Sequence, residues 1–118
     1  MIRIAVCAVS TAVLVAACGG AAAPNERVVS ATAAVRGAEV GGANNNPQAS
    51  LMLKHANDEI AKAKALMANG DNEQAGWVLQ RAEADAEIAL ETARETAAQA
   101  QAQAAVNRVK SAKQGGDK

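Results

Sequence analysis

Alanine is the feature that most constrains what this chain can fold into, since it accounts for 32 of the 118 residues. The chain has one aromatic residue, Trp77, and no Tyr or Phe, which excludes a thick core of large side chains. Alanine has the highest helix propensity and lets helix backbones approach closely. The composition therefore predicts one small all-α domain with closely packed helices.

The first residues predict a lipoprotein signal peptide. One arginine precedes an apolar run, residues 4–17, which is shorter than the roughly 20 residues needed to span a bilayer. The run ends in Val15, Ala16, Ala17 and Cys18, a pattern that resembles the lipobox of bacterial lipoproteins. We expect cleavage between Ala17 and Cys18 and lipid on Cys18, which would hold the protein on a membrane through its acyl chains. The alternatives are an ordinary secretory signal cut near Ala17 and a free cysteine.

The residues around Cys18 also predict a destination. Gly19 and Gly20 follow the cysteine, and in the sorting rules of Gram-negative cells a residue other than Asp there favours export. That resemblance implies the periplasmic side of the outer membrane. Cys7 lies in the apolar run and would be removed with it. No cysteine is then left for a disulfide, a zinc site or a thiol nucleophile.

Charge and side-chain chemistry disfavour several classes of function. The chain carries 12 basic and 12 acidic residues, so net charge gives no support to a nucleic-acid partner. His55 is the only histidine, and no cysteine lies near it to complete a metal site. The sequence has no nucleophile elbow, phosphate-binding Gly loop or zinc-ligand spacing. We therefore expect no enzyme activity, no cofactor and no metal.

Apolar residues spaced by three and four positions predict the first two helices. The first covers about residues 26–40 and ends at Gly41 and Gly42. Asn46 and Pro47 predict the start of the second, with Asn46 as N-cap and Pro47 in the first turn. Its expected end is near residue 68. The apolar stripe of the second helix consists of Ala49, Met52, Leu53, Ala56, Ile60, Ala63, Leu66 and Met67.

The segment Asn69, Gly70, Asp71 predicts a tight turn. Gly70 can take the left-handed conformation that closes a helix, and Asp71 can cap the next helix with Gln74 at capping-box spacing. We expect the second and third helices to form an antiparallel hairpin. The third helix contains no proline and is predicted to cover about residues 72–112, a length of about 60 Å.

Trp77 lies one turn into this third helix. We expect it to pack at the hairpin tip, near Leu66 and Met67 across the turn. Stacking on a ligand is the alternative.

These elements predict an all-α fold: an antiparallel helical hairpin with a long C-terminal helix and a short extra N-terminal helix. The signal peptide would cover residues 1–17, and a flexible tether residues 18–27. An alanine-rich helical domain would follow over residues 28–113, and a flexible tail over residues 114–118.

A seam of small residues follows the third helix. Its spacings of three and four form an eleven-residue repeat of about 3.67 residues per turn, which favours a nearly straight helix over a left-handed coil. The alternative is that alanine is frequent enough for any spacing to find it. The second helix is too short to cover the far half of the third. We therefore expect that half to pack on the first helix, on a second copy or on another protein. The seam consists of Ala75, Val78, Ala82, Ala86, Ala89, Ala93, Ala97, Ala100 and Ala104.

Glutamates form a second pattern on the third helix, at i, i+4 spacing. Like charges at this spacing destabilise an isolated helix by a few tenths of a kcal/mol per pair. The glutamates are Glu83, Glu87, Glu91 and Glu95. They are interpreted as a solvated face, with a docking surface for a basic partner and a cation site as alternatives. Arg108, Lys110 and Lys113 follow them and suit the negative end of the helix dipole.

Together these features resemble a family of short alanine-rich bacterial lipoproteins that carry a domain of unknown function. The similarity covers about residues 28–105 and is carried by the signal, the helix start at Asn46 and Pro47, the turn within residues 63–75, and the string 82–87. Members often occur beside OmpA-type proteins, which bind peptidoglycan, so the resemblance implies an envelope role without catalytic residues. The turn is also similar to a tetratricopeptide junction, but one copy is present where about three are needed for a solenoid.

Three functional hypotheses follow. The first is a structural or interaction module, held on the membrane through lipid on Cys18, that associates with itself or with another envelope protein. The second is a peptidoglycan tether resembling the major murein lipoprotein, because Lys118 ends a flexible tail. The third is binding of an apolar ligand in the hairpin groove. The small side chains of the seam disfavour the third hypothesis, because they favour close helix contact over a cavity.

Overall fold

The computed structural model describes residues 20–115 and contains, in that range, three α-helices and no strand. Helix α1 spans Asn25–Val40, α2 spans Pro47–Ala68 and α3 spans Asn72–Gly115. A single 3₁₀ turn, Ala43–Asn45, connects α1 to α2. The predicted all-α fold with a long C-terminal helix is confirmed. Two predicted boundaries are wrong, because residues 25–27 of the expected tether and residues 114–115 of the expected tail are helical.

Local capping explains where α1 ends and α2 begins. Gly42, with φ of 90°, takes a left-handed conformation that stops α1. The side-chain oxygen of Asn46 accepts hydrogen bonds from the backbone N–H groups of Gln48 at 2.8 Å and Ala49 at 2.9 Å. Pro47 occupies the first turn, where a missing N–H costs nothing. The predicted N-cap of the second helix is confirmed.

The turn between α2 and α3 is a Schellman motif. Gly70 has φ of 86°. Its N–H donates to the Met67 carbonyl at 3.1 Å, and the Asp71 N–H donates to the Leu66 carbonyl at 2.9 Å. Both bonds satisfy carbonyls at the end of α2. The Asp71 carbonyl accepts a hydrogen bond from the Ala75 N–H at 3.0 Å. Among the described residues, the predicted capping box between Asp71 and Gln74 is not formed.

Helices α2 and α3 run antiparallel, as predicted for a hairpin. Asn46 at the start of α2 donates through its side-chain nitrogen to Thr96 Oγ1 at 2.8 Å. Nearer the turn, Glu59 of α2 forms an ion pair with Arg81 of α3. Pairs that lie symmetrically about residue 70 in this way define an antiparallel arrangement.

Helix α1 runs parallel to α3 and lies beside its first half. Before α1, the Ala21 carbonyl accepts a 2.7 Å hydrogen bond from the Asn72 side chain at the start of α3. Farther along, the Ser30 hydroxyl donates to the Glu83 carboxylate. The start of α1, the turn at residues 69–71 and the start of α3 therefore lie at one end of a three-helix bundle, which we call the bundle tip.

The core of this bundle consists mainly of alanine, which makes up 11 of its 15 buried residues. Leu79 is the one large side chain that is fully buried among the described residues. The small side chains let the three helices approach closely. The buried set is Ala31, Val35, Ala38, Ala43, Ala49, Leu53, Ala56, Ile60, Ala63, Ala75, Leu79, Ala82, Ala86, Ala89 and Ala93.

Candidate functional site

The alanine seam of α3 continues beyond the bundle. Ala93 is its last buried member, and every residue of α3 from 94 to 115 is exposed. Ala97, Ala100 and Ala104 therefore carry the seam onto an open helix surface. Of the three predicted partners for this half, α1 is wrong, because α1 lies beside the first half of α3 instead. We call residues 94–115 the distal segment.

A shallow depression marks the place where the distal segment leaves the bundle. It has a volume of about 230 Å³ and lies between Ala97 and Ala100 of α3 and the connection that follows α1. Gly41 belongs to this connection and lies directly against the Leu90 side chain. The lining is Gly41, Gly42, Asn45, Asn46, Ala93, Thr96, Ala97 and Ala100. The depression is therefore lined by small and polar side chains and includes three residues of the seam.

The four predicted glutamates do not form one straight face. Each i, i+4 step rotates by about 40° around a helix with 3.6 residues per turn, so the row winds around α3. Glu83 is half-buried and accepts a hydrogen bond from Ser30 of α1. Glu87 is exposed, Glu91 pairs with Arg94 at 2.7 Å, and Glu95 accepts from Gln99 at 3.1 Å.

The charges of α3 are separated along its length. The acidic residues end at Glu95, whereas residues 96–115 contain the cations Arg108, Lys110 and Lys113 and no Asp or Glu. Val106 and Val109 are exposed in the same region. The distal segment thus combines small, apolar and basic side chains.

Trp77 lines a groove of about 320 Å³ between α2 and α3, near the bundle tip. Leu66 and Val78 provide its apolar wall, and Lys62 and Arg81 provide cations. The indole lies beside Leu66, as the sequence suggested, but 65% of Trp77 is exposed. The expected packing of Trp77 at the hairpin tip is therefore wrong in one respect, because most of the side chain stays exposed.

The ion pair between Arg81 and Glu59 joins α3 to α2 beside this groove. The Glu59 side chain is 12% exposed, and its Oε2 atom has no hydrogen-bond partner. Arg81 thus neutralises a glutamate of α2 and not one of the glutamate row of α3.

Within 20–115, no three His, Cys, Asp or Glu side chains come together as a metal site. His55 is exposed on α2. No helix in this part of the chain is both long and apolar enough to cross a membrane.

Some predicted residues lie outside the described range. These are Ala17 and Cys18 at the expected cleavage and lipidation site, and Lys118 at the expected tail. The structure therefore begins two residues after Cys18.

Leu79 and Leu90 are packing residues of α3 that the sequence analysis missed. The proposed seam ran through Val78, which is half-buried, whereas the neighbouring Leu79 is fully buried. Leu90 packs against the core. Both are missed because α1 and α2 contact α3 from two sides and bury a wider stripe than one partner would. The presence of leucine in an alanine-rich helix is the signal that could have identified them.

The fold defines a class of small all-α proteins: a three-helix bundle in which one helix extends far beyond the other two. The particular family follows from the sequence, because residues 26–105 match the model of the domain of unknown function DUF4398. The chain belongs to this family. The matched range agrees with the resemblance over about residues 28–105. No curated protein and no solved structure matches the chain.

Proposed function

We propose that this protein is a lipid-anchored lipoprotein of the cell envelope, on the periplasmic side of the outer membrane, which acts as a structural or interaction module. The observation that carries the proposal is the exposed distal segment, where Ala97, Ala100 and Ala104 extend a packing seam with nothing in the chain's own described fold to cover it. A role in assembly, rather than in catalysis, fits such a surface.

The lipid anchor and the distal segment would lie at opposite ends of the molecule. Ala21 is hydrogen-bonded to Asn72 at the bundle tip, so a lipid on Cys18 would hold that tip close to the membrane. The distal segment begins at the other end of the bundle and adds 22 residues of helix, a length of about 33 Å. Its seam would therefore be presented away from the bilayer.

The chemistry of the distal segment favours a helical partner. Small side chains allow a second helix to approach closely along Ala97, Ala100 and Ala104, which are all exposed. The partner is a second copy of this chain or another envelope protein. A second copy and another envelope protein can both pack on the seam, and photo-crosslinking distinguishes them.

Photo-crosslinking in cells tests the interaction. A photoreactive residue at Ala100 should give a crosslinked product, whereas the same residue at Ala84, an exposed alanine within the bundle region, should give none. Two differently tagged copies recovered in one product identify a second copy, and mass spectrometry identifies any other partner. Absence of a product at Ala100, or equal products at both positions, would contradict the proposal.

The anchor is tested separately by mass spectrometry of the purified protein. Residues 1–17 should be absent and Cys18 should carry diacylglycerol. Cys18→Ser should release the protein from the membrane fraction. A cleaved chain with a free Cys18 thiol would rule out lipidation but leave the crosslinking result interpretable.

A further inference from the structure

The bundle tip carries an exposed tryptophan that the proposed interaction of the distal segment does not use. Trp77 is 65% exposed and lies in the groove between α2 and α3. Leaving so large a ring in water is unfavourable, because it keeps a large apolar area hydrated. Tryptophan is enriched at membrane–water interfaces, where its apolar ring and its N–H group are both accommodated.

The position of the chain's N-terminal part places this ring near the proposed anchor. Gly20 and Ala21 lie against the turn and the start of α3. Three peptide units separate Cys18 from Ala21, and they reach about 11 Å at full extension. Trp77 is five residues beyond Asn72, which places it about 7.5 Å along the helix axis. A bilayer that holds lipid on Cys18 therefore lies within reach of Trp77.

The charges near the groove suit phospholipid headgroups. Lys62 and Arg81 line it together with Trp77, and Gln74 provides an amide. Long basic side chains can keep an apolar stem against an interface while the charged end reaches a phosphate. Arg81 is paired with Glu59, and Asp71 and Glu73 lie at the tip itself. Because these acids offset the cations, attraction to a negatively charged surface is not the main contribution.

We propose that the bundle tip is a membrane-contact surface, in which Trp77 inserts among the headgroups of the phospholipid bilayer and Lys62 and Arg81 lie beside their phosphates. This inference rests on the proposed anchoring at Cys18. With the tip in contact, the anchor and Trp77 give two attachment points instead of one. The distal segment is then directed away from the bilayer rather than free to lie along it.

Trp77 is the only tryptophan in the sequence, so intrinsic fluorescence reports on this residue alone. The mature protein purified from membranes is reconstituted into phosphatidylcholine vesicles with and without bromine on the acyl chains. In a second preparation, residues 18–118 are coupled through Cys18, their only cysteine, to a maleimide lipid in the same vesicles. The coupled protein carries an anchor whether or not the cell supplies one.

Contact predicts a shift of Trp77 emission to shorter wavelength in vesicles, several-fold weaker quenching by iodide, and quenching by brominated lipid. Quenching should persist in high salt, because the ring rather than the net charge carries the contact. Unchanged emission and full iodide access in the coupled protein would overturn the proposal. Shielded and quenched Trp77 in the coupled protein, but not in the protein purified from membranes, would support the tip contact and show that natural lipidation has failed.

A displaced tryptophan is the matched control. The double variant Trp77→Ala, Ile88→Trp moves the indole to a position that is also exposed, since 51% of Ile88 is accessible. It lies eleven residues later, about three turns and 16 Å farther from the tip, on nearly the same side of α3. Bromine should not quench this indole. Equal quenching by bromine at positions 77 and 88 would mean that α3 lies along the membrane. Equal protection of Trp77 from iodide with and without vesicles would indicate a contact with protein. Either result overturns the tip contact.

Discussion

Leu79 has a disproportionate role in a core made largely of alanine. It is fully buried, whereas the other buried side chains of α3 are single methyl groups. A core with so few large side chains has little other apolar area to compensate for the loss of one. The stability of the bundle therefore depends strongly on this residue.

Leu79→Ala should lower the free energy of unfolding by about 2–5 kcal/mol, since it removes buried methyl groups and leaves a cavity. Urea denaturation followed by circular dichroism measures the change. Leu51→Ala is the matched control, because Leu51 is half exposed, and its effect should be well below that of Leu79→Ala. Equal effects at the two leucines would contradict the assignment of Leu79 to the core.

Two glycines of the hairpin should respond to the same substitution with opposite signs. Gly70 has a positive φ of 86° and no atom within 4 Å of an added Cβ, so only backbone strain opposes a side chain there. Gly70→Ala should destabilise the protein by about 1 kcal/mol. Gly76 lies inside α3, also with open space around it, and Gly76→Ala should stabilise by about 0.5–1 kcal/mol. Thermal unfolding of both variants checks the signs. Stabilisation by Gly70→Ala would contradict the Schellman motif, and destabilisation by Gly76→Ala would contradict the open space around Gly76.

At the level of elements, α3 consists of two physically different halves. The first half lies between α1 and α2 and buries Ala75, Leu79, Ala82, Ala86, Ala89 and Ala93. The second half is exposed throughout and depends on its own propensity, with backbone hydrogen bonds open to water. It lacks the tertiary packing of an apolar face, which supplies most of the stability of helices in proteins.

Hydrogen exchange should therefore divide α3 near residue 97. Amides of residues 97–115 should exchange orders of magnitude faster than those of residues 79–93, because opening residues 97–115 breaks no hydrogen bond to another helix and exposes no buried side chain. Exchange followed by mass spectrometry on overlapping peptides measures this difference. Uniform slow exchange along α3 in dilute solution would show that a partner, such as a second copy, already covers the distal segment.

For the whole molecule, stability and interaction should be separable. Removing residues 102–118 should change the free energy of unfolding by less than about 1 kcal/mol, since exposed residues bury little apolar area. The same deletion should abolish the crosslink from Ala100. Removing residues 25–40 is the contrasting control, because it takes away Ala31, Val35 and Ala38 from the core and should strongly destabilise the bundle. Loss of stability in the shorter chain would show that the distal segment folds back onto the bundle.

The sequence by itself determined where α2 starts and where it ends. Asn46 with Pro47 marks the start of α2, and Gly70 marks its end, because caps and left-handed glycines act on backbone groups only a few residues away. The alanine content and the spacing of the first part of the seam determined that the helices pack closely. Family membership also follows from the sequence.

Only the tertiary structure decided which half of α3 is covered. Helix α1 packs parallel to α3 beside its first half, which buries Leu79 and brings Ala21 to the bundle tip. Local periodicity carries no information on this choice, since the seam continues unchanged from Ala75 to Ala104. Contacts between residues about fifty positions apart in the chain decide that one half of α3 is buried and the other exposed. They also form the bundle tip near which Trp77 lies.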